Sequence, residues 1–399
     1  MRLSVDLIPL RRRVYSGACQ PGEQVPRLPR RPGKGVAVLA VFLVFIAGCE
    51  GCRDSTPSSP LGVTASQTDS GKWREKLFEY ALNNLERLEE FHSEGMVARI
   101  IQQSEDLPRA EAAKKLDPLM AAWPEPEMLR QIVDRLNQWI RAQSPPPDAA
   151  EDPAVAALPE GFRRLPLMQG LNQLRFVPFD GFALREAVLL RDVARAARGE
   201  TLDELSRAKN LFNWMVRNVQ LEPGRADAIP QFPWEALFFG RGTALERAWV
   251  FVLLARQQGL DAAVLAVKNP TEAEPSQPAP LRAWCVAVLI EGKVYLFDPM
   301  LGLPIPGPDG VGFDAEGRLE IAPATLEQAA TDAAILQRLN VEALGSYPLK
   351  ASDLKNVTAL IEASPMYLAR RMKLIEPRFV GKRKLVLSIS PTAELKRWK

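Results

Sequence analysis

The sequence predicts an α+β protein on three observations. Amphipathic helical spacing dominates the first half of the folding region; a helix apolar nearly all round, Ala244 to Gln258, follows; and short apolar segments joined by the turn dipeptide Glu291-Gly292 come after it. Helices come first and antiparallel strands after them, so the two kinds of element are segregated, not alternated as in βαβ units. With 399 residues, 47% of them apolar and 25% charged, the chain can bury a substantial core.

The order begins with a leader, residues 1–48. These carry eight Lys or Arg against two acids, so the formal charge of +3 reverses to about −3 without them, and a nucleic-acid partner is not implied. The apolar run VAVLAVFLVFIA, Val36 to Ala47, follows the basic stretch RLPRRPGKG. It is shorter than the roughly 20 residues that span a bilayer and suits the h-region of a signal peptide. Ile46-Ala47-Gly48-Cys49 then resembles a bacterial lipobox, in which small residues admit the signal peptidase and the following thiol receives lipid. An ordinary secretory signal with a chance cysteine stays open, and the long n-region leaves open a start downstream of Met1. The four cysteines give no disulfide framework: Cys19 lies in the leader, Cys49 is the expected lipid site, Cys52 stands beside it and Cys285 is remote. Cys49 and Cys52 form C-x-x-C without the second pair a zinc site needs, so no metal is expected.

Residues 49–72 are polar and rich in Pro, Ser and Thr, the composition of a flexible tether. Leu77, Ala81, Leu85 and Leu88, then Leu129, Ile132, Val133, Leu136, Trp139 and Ile140, recur at helical spacing and predict a helical unit over 73–143. The proline-rich stretch 144–161 reads as a linker. The main domain, 162–320, opens with helices at Phe182–Ala197 and Thr201–Val216, the second started by a capping box at Thr201-Leu202-Asp203-Glu204. The apolar helix is ended by Gly259, and strands are expected at Ala262–Val267, Trp284–Ile290 and Lys293–Asp298, the last two as a hairpin. DPMLGLPIPGPDG reads as a rigid loop. Residues 321–399 read as a helical extension, with helices at Thr325–Leu339, Lys355–Ala363, Pro365–Ile375 and in PTAELKRWK, and a strand at Leu385–Ile389.

Taken together, LFNWMVRNV, GRGTALERAWVFVLLARQQGLDA and RAWCVAVLIEGKVYLFDP resemble the transglutaminase-like branch of the papain-type cysteine proteinases, over roughly Leu202 to Asp309. The resemblance implies a central helix packed on a small antiparallel sheet. In that family the helix starts with a nucleophilic cysteine, and the two hairpin strands carry a histidine and an aspartate. Carried over residue by residue, the cysteine falls at Ala244, the histidine at Arg282 and the aspartate at Asp298. Only the third is retained. Ala244 has no lone pair to attack with, and Arg282 stays protonated and cannot act as a general base. The resemblance therefore implies a degenerate site with no catalytic residues and no cofactor.

Other chemistry has few residues to work with. The one histidine, His92, ends an amphipathic stretch in the N-terminal helical unit and reads as a solvated surface residue. Cys285, expected by strand alternation to face opposite to Trp284, is a rival nucleophile if a carboxylate such as Asp298 serves as its base; a buried, inert thiol is the plainer reading. Glu246 and Asp298 as a carboxylate pair, or Glu246 paired with Arg247 or Arg282, both remain open. Arg241, Gly242, Arg247 and Arg282 near the helix start would suit an anion pocket, against a plain tight turn with its arginines paired to Asp298 and Glu246. The sequence thus leads to three expectations. The first is an envelope protein held to a membrane by lipid on Cys49, whose degenerate domain binds a protein or peptide. The second is an unorthodox peptidase or amidase using Cys285, and the third a purely structural envelope protein.

Overall fold

The computed structural model describes residues 4–8, 67–91, 125–143, 153–157, 168, 170–222, 233–268, 281–313, 317, 319–341 and 345–399. Cys19, Cys49, Cys52, His92 and the apolar run 36–47 lie outside them. Among the described residues no helix is long and apolar enough to cross a membrane. The chain divides into two compact units, one made of Met1–Arg11 with Gly71–Lys399 and the other of Arg12–Ser70.

The helices α1 (Gln67–Phe91) and α2 (Glu125–Arg141) bury Leu77, Ala81 and Leu85, and Leu129, Ile132, Val133, Leu136 and Trp139, of the predicted stripes, with Ile140 half-buried. Phe78 of α1 lies 5.0 Å from the ring of Trp139 of α2. α3 (Pro178–Arg198) begins with proline at its first turn, where the missing N–H costs nothing. α4 (Glu204–Asn218) starts two residues later than the capping-box reading expects. Its N-cap is Asp203, whose carboxylate accepts from the Ser206 N–H, because that carboxylate satisfies a first-turn donor directly. The short α5 (Pro233–Phe239) leads to α6 (Ala244–Gln257), which ends at Gly259 with φ +71°. Val250 to Ala255 of α6 are all buried, which is why its sequence shows so little polar face.

The main sheet has the order β1-β10-β4-β5-β6-β7. Its strands are β1 (Ser4–Ile8), β4 (Asp261–Lys268), β5 (Leu281–Ile290), β6 (Lys293–Asp298), β7 (Leu303–Pro304) and β10 (Val357–Glu362). All neighbours are antiparallel except β1, which runs parallel to β10. Glu291 and Gly292 both take positive φ, as a two-residue hairpin turn requires between strands of right-handed twist. Two small ribbons complete the sheets: β2 (Gln220–Leu221) with β3 (Arg241–Gly242), and β8 (Pro306–Phe313) with β9 (Leu319–Pro323), so the expected proline-rich loop carries a hairpin.

The C-terminal third departs most from the expected extension. Lys355–Ala363, expected as a helix, contains β10, every residue of which is buried, inside the main sheet. A strand covered on both faces shows no period-2 pattern, and a short apolar run is then ambiguous in sequence. The helix expected over 325–339 breaks into α7 (Leu326–Thr331) and α8 (Ala333–Gln337), because Asp332 turns to cap α8. The one expected at 365–375 breaks into α9 (Pro365–Leu368) and α10 (Arg370–Ile375) at the extended Ala369. Residues 385–389 form no strand, although Leu385 and Leu387 are buried; α11 (Pro391–Arg397) closes the chain.

The division into 73–143, 144–161, 162–320 and 321–399 does not hold as separate bodies. One apolar cluster joins Leu82 of α1, Ile132 of α2, Val155 from the expected linker, Leu184 of α3 and Met372 of α10. Two buried ion pairs tie the same parts together. The Arg371 guanidinium of α10 donates to both carboxylate oxygens of Asp180 at 2.6 and 2.8 Å, and Arg256 of α6 pairs with Glu362 of β10.

Candidate functional site

The start of α6 is built from backbone needs. Gly240, at φ +64°, lets the chain leave α5, and its carbonyl accepts from the Gln220 N–H at 2.7 Å as the β2–β3 ladder opens. Gly242 lies under the helix start: a Cβ there would stand 3.1 Å from Glu246 Oε2 and 3.4 Å from Ala236 Cβ. Thr243 is the N-cap. Its N–H donates to Glu246 Oε2 at 2.7 Å, and its Oγ1 accepts from the Glu246 N–H at 3.2 Å. Ala244, half-buried, opens the first turn. The positive end of the helix thus already faces a carboxylate of its own, that of the buried Glu246.

The four residues expected to make an anion pocket do not assemble into one. Arg247 is buried and donates three hydrogen bonds of 2.8 Å, to the carbonyls of Val216, Val219 and Pro299. It satisfies the C-terminal end of α4 and holds the loop after Asp298, so its donors face the protein and not a ligand. Burial lowers its pKa without neutralising it, since a guanidinium starts so high. Arg241 is mostly exposed and pairs with Glu222 at 3.7 Å. Arg282 is exposed near the start of β5, opposite Val267 of β4, and Gly242 is covered by the cap.

Asp298, 3% exposed, ends β6 and is fully engaged. Its Oδ1 accepts from the N–H groups of Met300 and Leu301 at 2.8 and 3.1 Å, and its Oδ2 accepts from the Tyr347 hydroxyl at 2.6 Å. That phenol oxygen in turn accepts from Trp284 Nε1 at 2.7 Å. Burial pushes the Asp298 pKa up, the hydrogen bond from Tyr347 and those from the two amides opposing it. Burial also pushes the Tyr347 pKa far up, with the Asp298 charge adding to it, so the phenol keeps its proton and stays a donor. Sequence reasoning missed Tyr347. It lies 49 residues after Asp298, in an irregular segment with no local signal.

Trp284 reaches Tyr347 because of a bulge. Leu265 of β4 stands opposite Cys285 and Ala266 opposite Ala283, which leaves Trp284 as the extra residue of β5. Alternation is broken there, so Trp284 and Cys285 turn into the same apolar cluster, with Leu265, Ala287 and Leu296, and not to opposite faces. Cys285 is 1% exposed and its thiol is a free one. Burial, with the Asp298 charge adding to it, pushes its pKa well above the ordinary thiol value. The rival nucleophile is therefore without the solvent-open, ionisable sulfur that the hydrolase reading requires.

The first turn of α6, the exposed start of β5 and the end of β6 are thus the elements on which the sequence places the three equivalents. Arg247 joins the first to the last through the Pro299 carbonyl. The family model of the transglutaminase-like superfamily matches residues 191–298, from α3 through the last residue of β6. Residues 191–298 are a transglutaminase-like domain. A solved structure, that of "a Putative Cysteine Protease from Cytophaga hutchinsonii", is similar at 15% identity with a TM-score of 0.24. The match covers 43% of this chain and 58% of that one, less than two thirds of its length. Among curated proteins none matches. The aspartate that ends the transglutaminase-like domain is held by a tyrosine from outside the matched region.

Proposed function

We propose that this protein is a lipid-anchored component of a bacterial cell envelope, and that its transglutaminase-like domain binds a protein or peptide partner instead of performing thiol chemistry. The observation that carries the reading is the state of the third triad position. Asp298 is bonded by Tyr347 and two backbone amides, while the residues at the other two positions, Ala244 and Arg282, can neither attack nor accept a proton. A retained fold without its chemistry supports a binding or assembly role. The anchor rests on the leader: a basic stretch, an apolar run of suitable length, small residues at Ala47 and Gly48, and a polar tether after Cys49.

Two experiments test the two halves. The protein isolated from membranes is assayed for ammonia release from glutamine peptides and for peptide cleavage. Activity above the blank that is lost in Cys285→Ser would overturn the non-catalytic reading. Intact-mass measurement should give a chain beginning at Cys49 with acyl groups, each contributing about 0.8 kcal/mol per buried CH₂ to membrane attachment. Cys49→Ala should leave the membrane fraction. A mature chain that begins elsewhere, or a Cys49 without lipid, overturns the anchor.

A further inference from the structure

α1 divides lengthwise into three strips. Leu77, Phe78, Ala81, Leu82 and Leu85 make the buried one. Glu75, Glu79 and Glu86 make the second, which meets the C-terminal segment: Arg378 pairs with Glu75, and Arg383 with Glu79 and Glu86 at 3.2 and 2.7 Å. The third strip faces solvent. Trp73 and Tyr80, 54% and 44% exposed, stand two helical turns apart, with the exposed Lys76 between them and the exposed Lys72 beside Trp73. The Arg135 guanidinium of α2 lies over the Tyr80 ring, 4.8 Å from its centroid, and adds a third cation.

We propose that this strip lies on the surface of an anionic bilayer, with the Trp73 and Tyr80 rings at the headgroup level and Lys72, Lys76 and Arg135 against lipid phosphates. The inference rests on the reading of a membrane-held chain and gives that chain an orientation. Tryptophan and tyrosine suit the membrane–water interface because each joins an apolar ring to a polar N–H or O–H. Lysines beside them lay their stems along apolar surface and raise their ammonium groups to the phosphates, whereas lysine is depleted from protein–protein interfaces. Charge supports the same occupant: the acids of this stretch, Glu75 and Glu79, are engaged by Arg378 and Arg383, and the strip itself carries cations. So does reach. Eighteen residues, 49–66, separate the expected lipid site from the first residue of α1. A chain of their polar composition has a root-mean-square span of about 20–25 Å, which keeps the strip at high effective concentration near the bilayer.

The test uses the full chain as isolated from membranes, reconstituted in vesicles of phosphatidylcholine alone or with an equal part of phosphatidylglycerol. Lipids brominated on their acyl chains serve as quenchers. Tryptophan fluorescence is compared between the wild type and Trp73→Phe; the other seven of the eight tryptophans are common to both, so the difference reports Trp73. That difference should be largely quenched in the anionic vesicles, and should escape quenching in phosphatidylcholine alone and when Lys72→Glu and Lys76→Glu are combined. All three positions are exposed, so the substitutions leave the core intact. Trp73 emission untouched by the bromines in anionic vesicles overturns the contact, and equal quenching in both lipid mixtures or in the lysine variant overturns the anionic surface. Trp73 shielded from aqueous iodide yet beyond the bromines would put a protein on the strip and overturn it too. Intact mass decides the anchor separately: an acylated Cys49 with no quenching at Trp73 sinks the contact alone, and quenching at Trp73 in a chain without acyl groups sinks the anchor alone.

Discussion

At Asp298 three donors converge on a carboxylate that burial pushes toward its neutral form, and burial prevails, so the native pKa lies above the ordinary value. The native state then holds this proton to higher pH than the unfolded chain does, where an aspartate titrates near about 3.9. Whatever stability this contributes is present below that value and is lost as pH rises through the native pKa. Asp298→Asn should therefore gain on the wild type as pH is raised from about 4 to 7, read by urea denaturation at each pH; an advantage that shrinks with rising pH would contradict the burial argument. Asp298→Ala, by contrast, leaves two amides and the Tyr347 hydroxyl without their acceptor and should cost about 1–3 kcal/mol. The same reasoning applies at alkaline pH. Burial raises the pKa of Tyr347 and of Tyr367, so both should stay protonated beyond about pH 10 and ionise with unfolding, which ultraviolet titration at 295 nm can follow against a denaturation curve. Cys285 should resist iodoacetamide at pH 8 in the native protein and react once denatured, as peptide-resolved mass spectrometry would report.

Elements here are placed by what their ends need. α4 ends where Arg247 reaches its last carbonyls, and α6 begins where Thr243 and Glu246 close on each other. Arg247→Met should cost about 3 kcal/mol, because three carbonyls, two of them in buried hydrogen bonds, lose a charged donor, and it should also loosen the loop that positions Asp298. Gly242→Ala should cost about 1–3 kcal/mol, since the new Cβ meets the cap carboxylate on one side and Ala236 on the other. Thermal denaturation of each variant checks both; a Gly242→Ala protein as stable as the wild type would mean that the cap yields more readily than its geometry suggests.

For the larger unit of the chain, the decisive contacts join distant segments. Asp180 of α3 and Arg371 of α10 are 191 positions apart and meet as a buried bidentate pair, with Arg371 also donating to the Gly170 carbonyl at 2.7 Å. Breaking it from one side should cost about 3–5 kcal/mol, because it strands the other charge. Arg371→Met should therefore unfold in markedly less urea, and the double variant with Asp180→Leu should recover most of the loss. If the double variant is no better than the single one, the pair is worth more than the apolar packing that replaces it.

Local order was legible in the residues. The span of α6, the glycine that stops it, the Glu291-Gly292 hairpin and most of the apolar stripes of α1 and α2 are decided within a few positions, so the sequence places them and, with them, the positions of Ala244, Arg282 and Asp298. Tertiary structure alone decided the rest. Burial on both faces erased the periodicity of β10, and a bulge in β5 turned Trp284 and Cys285 to one side. The arginines near the helix start found carbonyls and Glu222 instead of a shared pocket, and Tyr347 arrived at Asp298 from a segment that carries no pattern of its own. Short-range chemistry fixes where an element starts and stops; which side chains meet depends on how the chain closes over long loops, and no local spacing encodes that closure.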